Sequence, residues 1–242
     1  MSTRRLSLLS RPFPAAPGLA VLFLVASLLS PALAQQAQTY RIDPVHTRVM
    51  FTVEHAGFSR AIGTVSGSTG ELRFDPQDWS QAHVDVRVPL TRLDLGDDKW
   101  NKAALAGNLL DGKRFPEARF VSTRVEAQDP ERVWVYGDLT LHGVTREVRL
   151  DVTFNALKRH PMPPFRRTAG FSATAMLKRS DFGITSWKSV IGDDIELRIE
   201  AEATRGAAAN EVPEPAANDT LPAVEPSAPA IEPAASEPEP TP

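Results

Sequence analysis

The sequence predicts an all-β fold of eight or nine antiparallel strands, on three observations. Four segments alternate between apolar and polar residues, which gives a strand one dry face and one wet face. Turn-forming residues fall between the periodic runs, at Asp75-Pro76, Asp129-Pro130, His142-Gly143 and the cluster from Pro161 to Pro164. The chain has no cysteine, so neither a disulfide framework nor a thiolate site supports or uses the fold, and its stability rests on a core.

In chain order, residues 39–42 form a short opening strand. In 48–55, Val49, Phe51, Val53 and His55 share the dry face, and Arg48, Met50, Thr52 and Glu54 the wet one. Residues 64–74 read as one further strand. In 82–90, Ala82, Val84, Val86, Val88 and Leu90 alternate with His83, Asp85 and Arg87. Residues 97–110 break the pattern: Trp100, Ala103, Ala104, Gly107 and Leu110 recur at helical spacing behind Asp97, so a short amphipathic helix with an aspartate N-cap is expected. Strands follow at 119–126 and 133–141. Val148, Leu150, Val152 and Phe154 then alternate with Glu147, Arg149, Asp151 and Thr153. After a strand at 170–177, Ile195, Leu197, Ile199 and Ala201 alternate with Glu196, Arg198, Glu200 and Glu202. Such strands bury their dry faces either in a two-sheet sandwich or in a closed barrel; alternation does not choose between them.

The ends are different material. Arg4, Arg5 and Arg11 precede an apolar run from Leu19 to Leu29, and Ala32-Leu33-Ala34 has the small-x-small form of a cleavage site. Residues 1–34 are therefore expected to be a signal peptide cleaved after Ala34, the mature chain starting at Gln35 and residing in the periplasm. The run is shorter than the roughly 20 residues a membrane span needs, and without a cysteine no lipid is attached, so no covalent membrane anchor is expected. Residues 206–242 are dominated by Ala, Pro and Glu, with no Lys, Arg or aromatic residue; that composition predicts a disordered acidic tail. Seven acidic residues lie there, so the formal net charge of −3 becomes +4 for residues 1–205, and +1 without the three signal arginines. The middle portion is nearly neutral, which argues against nucleic acid as a partner.

Between these ends the residues resemble a known family. Tyr40-Arg41-Ile42-Asp43-Pro44-Val45-His46-Thr47, followed by Phe51-Thr52-Val53-Glu54-His55, is similar to the opening of the polyisoprenoid-binding YceI-like family. The stretch from Gly137 to Thr145 (GDLTLHGVT), Phe115-Pro116-Glu117-Ala118-Arg119-Phe120, Arg179-Ser180-Asp181-Phe182-Gly183-Ile184 and Gly192-Asp193-Asp194-Ile195-Glu196-Leu197 continue that resemblance in order. It implies an extended, lipocalin-like antiparallel β-barrel of about eight strands over 35–205, with one short helix. It also implies an apolar tunnel holding a long isoprenoid or related lipid. This chain departs from the family at Gly96-Asp97-Asp98-Lys99-Trp100, near the expected tunnel mouth.

Chemistry motifs are missing: there is no G-x-S-x-G elbow, no H-E-x-x-H and no phosphate-cradling glycine loop. The five histidines, at positions 46, 55, 83, 142 and 160, show no metal-ligand spacing. The reading is a binding protein with no cofactor, no metal and no catalytic residue. His142 is expected to satisfy backbone groups in its turn, His83 to be solvated, and Arg179 with Asp181 to close a turn as an ion pair. The tunnel candidates are Phe51, Val53, His55, Trp100, Phe120, Trp134, Leu150, Phe154, Phe171 and Trp187. An enzyme acting on such a lipid through His55 or His142, and a packed interaction module, are the rival classes. A dimer and an unidentified protein partner stay open.

Overall fold

The computed structural model describes residues 37–205; the expected signal peptide, the cleavage after Ala34 and the acidic tail lie outside the described residues. Eleven strands form one antiparallel sheet: β1 (Gln38–Ile42), β2 (Arg48–His55), β3 (Ser59–Ser66), β4 (Thr69–Asp75), β5 (Asp78–Pro89), β6 (Leu93–Asp94), β7 (Glu117–Ala127), β8 (Arg132–Leu141), β9 (Val144–Arg159), β10 (Arg167–Lys178) and β11 (Ile191–Arg205). One short helix, α1 (Asp98–Ala104), follows β6.

The sheet closes on itself. β11 pairs with β2 through residues 191–200 and with β1 through residues 203–205, so β1 and β2 lie end to end along one edge. β3 and β4 return beside them, β3 on β2 and β4 on β1. Each pair is one long strand with a kink, and the ring has eight members: β1/β2, β3/β4, β5, β7, β8, β9, β10 and β11. Closure decides between the two architectures that alternation left open, and it removes the long unpaired edges a sandwich would expose.

Local chemistry sets both kinks. Asp43 Oδ1 accepts from the amides of Val45 (2.8 Å) and His46 (3.2 Å), and the Thr47 amide donates to the Asp43 carbonyl at 3.0 Å. Opposite, Gly67 has φ +79°, a conformation that favours glycine, and its amide reaches the Pro44 carbonyl at 3.2 Å. The single strand expected at 64–74 is therefore two, broken at Gly67 and Ser68.

The core has two centres. One gathers Tyr40, Phe74, Trp79, Val133, Ala169 and Ala203, with Phe154 and Phe171 packed against them. The other holds Val148, Ala175, Leu177, Phe182 and Ile184. They mark the two ends of the barrel, called below the aromatic end and the helix end.

Candidate functional site

Inward-facing side chains from every member of the ring enclose a cavity of about 500 Å³, within the range of small-molecule sites. Its wall follows the alternation: Val49, Phe51, Val53 and His55 from β2, Ala82 to Val88 at every second residue from β5, Val148, Leu150 and Val152 from β9, and Ile195 to Ala201 at every second residue from β11. Small residues make room for large ones. A Cβ added at Gly63 of β3 would run into the Phe51 ring, so the facing strand stays bare where Phe51 lies over it.

Five rings fill the aromatic end. Phe74 is completely buried, with centroids of Tyr40 at 5.0 Å, Phe171 at 5.4 Å, Trp79 at 5.5 Å and Phe154 at 5.8 Å. At the other end the segment carrying α1 contributes Trp100, Ala103, Ala104, Leu109 and Leu110 to the cavity wall. Its start is fixed as the sequence predicts, Asp97 Oδ1 accepting from the amides of Lys99 (2.9 Å) and Trp100 (3.1 Å), but it stops at Ala104 rather than continuing to Leu110. Trp100 is 43% exposed yet reaches the cavity wall, its ring 5.2 Å from that of His55. It therefore stands where the cavity meets solvent.

Of the ten tunnel candidates, Phe51, Val53, His55, Trp100, Phe120, Leu150 and Phe171 line the cavity. Three require correction. Phe154 belongs to the aromatic cluster rather than to the wall. Trp134 faces outward, with the Arg149 guanidinium 4.9 Å from its ring centroid; its neighbours Val133 and Val135 take the inner face. Trp187 is 60% exposed, in a turn at φ +57° where its carbonyl accepts from Val190 and Ile191.

The polar side chains on the wall are Thr47, Glu54, His55, Ser68, His83 and Arg179. Most are tied to the protein. Thr47 Oγ1 donates to the Glu202 carbonyl and accepts from the Glu202 amide, at 3.3 and 3.2 Å. Glu54 Oε1 accepts from the Gly57 amide at 2.6 Å. His83 is exposed, as its wet-face position predicts, and its Nδ1 lies 3.2 Å from Ser122 Oγ. That hydroxyl also accepts from the Val84 amide at 2.9 Å, beside the bulge where the β7–β8 register shifts, so it replaces a ladder partner.

Arg179 makes no ion pair with Asp181. Only 6% exposed, it donates four hydrogen bonds of 2.8–2.9 Å to the carbonyls of Ile184, Ser186, Ile191 and Gly192, which fastens the segment between β10 and β11. The Ser180 amide and hydroxyl both donate to the Asp193 carboxylate. His142 Nδ1 lies 3.1 Å from the Phe182 carbonyl, 40 residues away, rather than bonding within its own turn.

Asp43, His46 and Glu202 bring one ligand atom each within 4.8 Å of one another, the one group among the described residues that could hold a metal. His46 and Asp43 already satisfy each other there, Nδ1 to Oδ2 at 2.9 Å. That bond, with the nearby carboxylate charge, raises the His46 pKa above its ordinary value. Burial alone would raise the Asp43 pKa, but its hydrogen bonds from His46 and from two backbone amides outweigh it and lower it.

A closed antiparallel barrel around one apolar cavity is a lipocalin-like architecture, wide enough at eight strands to hold one small ligand. A family model described as the YceI-like domain matches residues 40–203, and the chain belongs to this YceI-like family. A UPF0312 protein of Vibrio parahaemolyticus is 34% identical over 170 residues, covering 69% of this chain and 89% of that one. The crystal structure of Burkholderia cenocepacia BcnA aligns with a TM-score of 0.60 at 23% identity, over 67% of this chain and 99% of BcnA. A polyisoprenoid binding domain from Saccharophagus degradans, implicated in plant cell wall breakdown, aligns with a TM-score of 0.51 at 13% identity, over 69% and 98%. At those identities the two structures attest to the fold.

Proposed function

We propose that this protein is exported and holds a long apolar lipid, of isoprenoid or quinone type, inside its barrel, as a carrier or sequestering protein rather than an enzyme. The observation that carries the reading is the cavity inside the barrel, walled by apolar side chains from all eight members of the ring. The polyisoprenoid binding domain of Saccharophagus degradans, which shares the fold, supports the ligand class. The signal-like residues 1–34 support export.

Such a cavity needs no strong polar anchor. Burying a methylene contributes roughly 0.8 kcal/mol, so about 15 of them give on the order of 12 kcal/mol gross. Before ordering costs that corresponds to roughly nanomolar affinity. The two histidines that could serve an enzyme have other surroundings: the His55 ring packs at a tilt against Trp100, and His142 bonds the Phe182 carbonyl.

Native mass spectrometry of protein purified from its export compartment tests the reading. The expected result is an added mass of lipid size, with solvent extraction releasing an apolar molecule. Protein that emerges empty, and gains no mass when incubated with polyprenyl or quinone lipids, would overturn it.

A further inference from the structure

Among the described residues, two buried side-chain polar atoms have no hydrogen-bond partner, Ser68 Oγ and Trp79 Nε1, and both residues line the cavity. Ser68 is fully enclosed and Trp79 is 8% exposed. They stand at different levels: Ser68 follows the Gly67 kink midway along β3/β4, while Trp79, near the start of β5, packs among the rings of the aromatic end. Buried polar groups without partners are rare in native proteins, because each has given up its hydration for nothing.

The indole N–H is a donor only, so what Trp79 lacks is an acceptor. Its ring neighbours are Phe74 and Phe154; the charged side chains on the wall, Glu54 and Arg179, belong to the helix end, and Arg167, Arg205 and the buried Asp75, which act on Tyr40 behind those rings, do not line the cavity. A phosphate or carboxylate drawn to Trp79 would lose its water and gain one neutral donor, which does not compensate a buried charge. A carbonyl, ester, amide or quinone oxygen loses far less and satisfies the indole. We infer that the barrel takes its ligand polar end first: a neutral oxygen acceptor is held by Trp79 Nε1–H at the aromatic end, and the hydrocarbon chain runs back toward Trp100. This inference rests on the lipid-holding function proposed above and adds to it the chemistry and direction of the head group.

The test uses the full chain stripped of lipid and two probes of equal length: farnesylacetone, an isoprenoid ketone, and the hydrocarbon with a methylene in place of its carbonyl. The wild-type protein is expected to bind the ketone about tenfold more tightly, the size of one recovered hydrogen bond. In Trp79→Phe that preference is expected to be lost or reversed, because the carbonyl would then be buried without a donor while the hydrocarbon gives up no hydrogen bond. In ¹⁵N-labelled wild-type protein, which requires no variant to fold, the ketone and not the hydrocarbon is expected to shift the Trp79 indole N–H resonance.

Equal affinities for the wild type with an unmoved Trp79 resonance would overturn the head-group assignment while leaving the lipid-holding function intact. A preference erased by Ser68→Ala and not by Trp79→Phe would place the oxygen midway along the barrel and overturn the assignment to the aromatic end. Failure of both probes to bind would overturn the lipid-holding function, and the head-group assignment with it.

Discussion

Arg179 is a buried cation whose partners are all backbone carbonyls, of Ile184, Ser186, Ile191 and Gly192. A planar fork of five donors can hold several carbonyls at once, and a lysine ammonium cannot reproduce that geometry. Arg179→Lys is therefore expected to lower unfolding stability by about 2–4 kcal/mol, several carbonyls losing a charged donor in a buried place. Denaturant melts check this, and a loss below about 0.5 kcal/mol would mean that water takes over those carbonyls. His46 is the solvent-exposed counterpart. Its pKa is raised in the folded chain by Asp43, so its contribution is fully present below the unfolded value of about 6.5 and is lost as pH rises through the higher folded value. The side chain is 53% exposed, which limits the pair to about 0.2–1 kcal/mol. His46→Gln should thus lower the melting temperature slightly at about pH 5.5 and leave it unchanged at about pH 8.5. Equal losses at both pH values would assign the effect to packing.

In β9 adjacent residues have opposite fates. Leu150 lines the cavity, while Arg149 lies over Trp134 outside and reaches Asp151 at 3.3 Å. Leu150→Glu places an unpaired charge on an apolar wall and should cost several kcal/mol, whereas Arg149→Glu, on the solvated face, should cost about 1 kcal/mol or less. Similar losses would mean that the strand register is reversed. This strand was legible in the sequence because its two faces differ in chemistry, and the same holds for β2, β5 and β11. β8 was legible as a strand but its facing was not, because Val133-Trp134-Val135-Tyr136 is apolar throughout and period two cannot say whether the valines or the rings point inward. Outside, Arg124 sits 3.5 Å over Tyr136 as Arg149 sits over Trp134, a shield for exposed aromatics that no local pattern announces. The first half of β3 went unseen for the opposite reason: Ala61 and Gly63 face inward with almost no side chain, the space at Gly63 belonging to Phe51. Trp79 escaped because its inward phase is out of step with Ala82 and Val84, so alternation begins only after it.

On the scale of the whole barrel, closure and cavity are one fact. Eight strands that met only side chains would make a solid core, and in this sequence the inward positions are mostly valine, leucine, isoleucine and alanine, which leave about 500 Å³ between opposite walls. The lining of an unfilled apolar cavity forfeits dispersion contacts that a chain-like ligand restores, so occupancy and stability must be linked. At a free ligand concentration 100 times Kd, mass action adds about 2.7 kcal/mol. For a domain of this size each kcal/mol moves the melting temperature by roughly 2–4 °C. Lipid-stripped protein given a quinone or polyprenyl lipid at that excess should therefore melt roughly 5–10 °C higher than without it. Phe51→Asp, which sets a charge on the wall, should abolish most of that shift even where the variant folds. Met176→Asp, on the outer face of β10 where Met176 is 63% exposed, should keep it. Scanning calorimetry at several ligand concentrations decides the matter, since mass action requires the shift to grow with the logarithm of concentration. A flat response in the wild-type protein would disprove the linkage, and the cavity would then be a packing defect that the fold tolerates rather than a binding site.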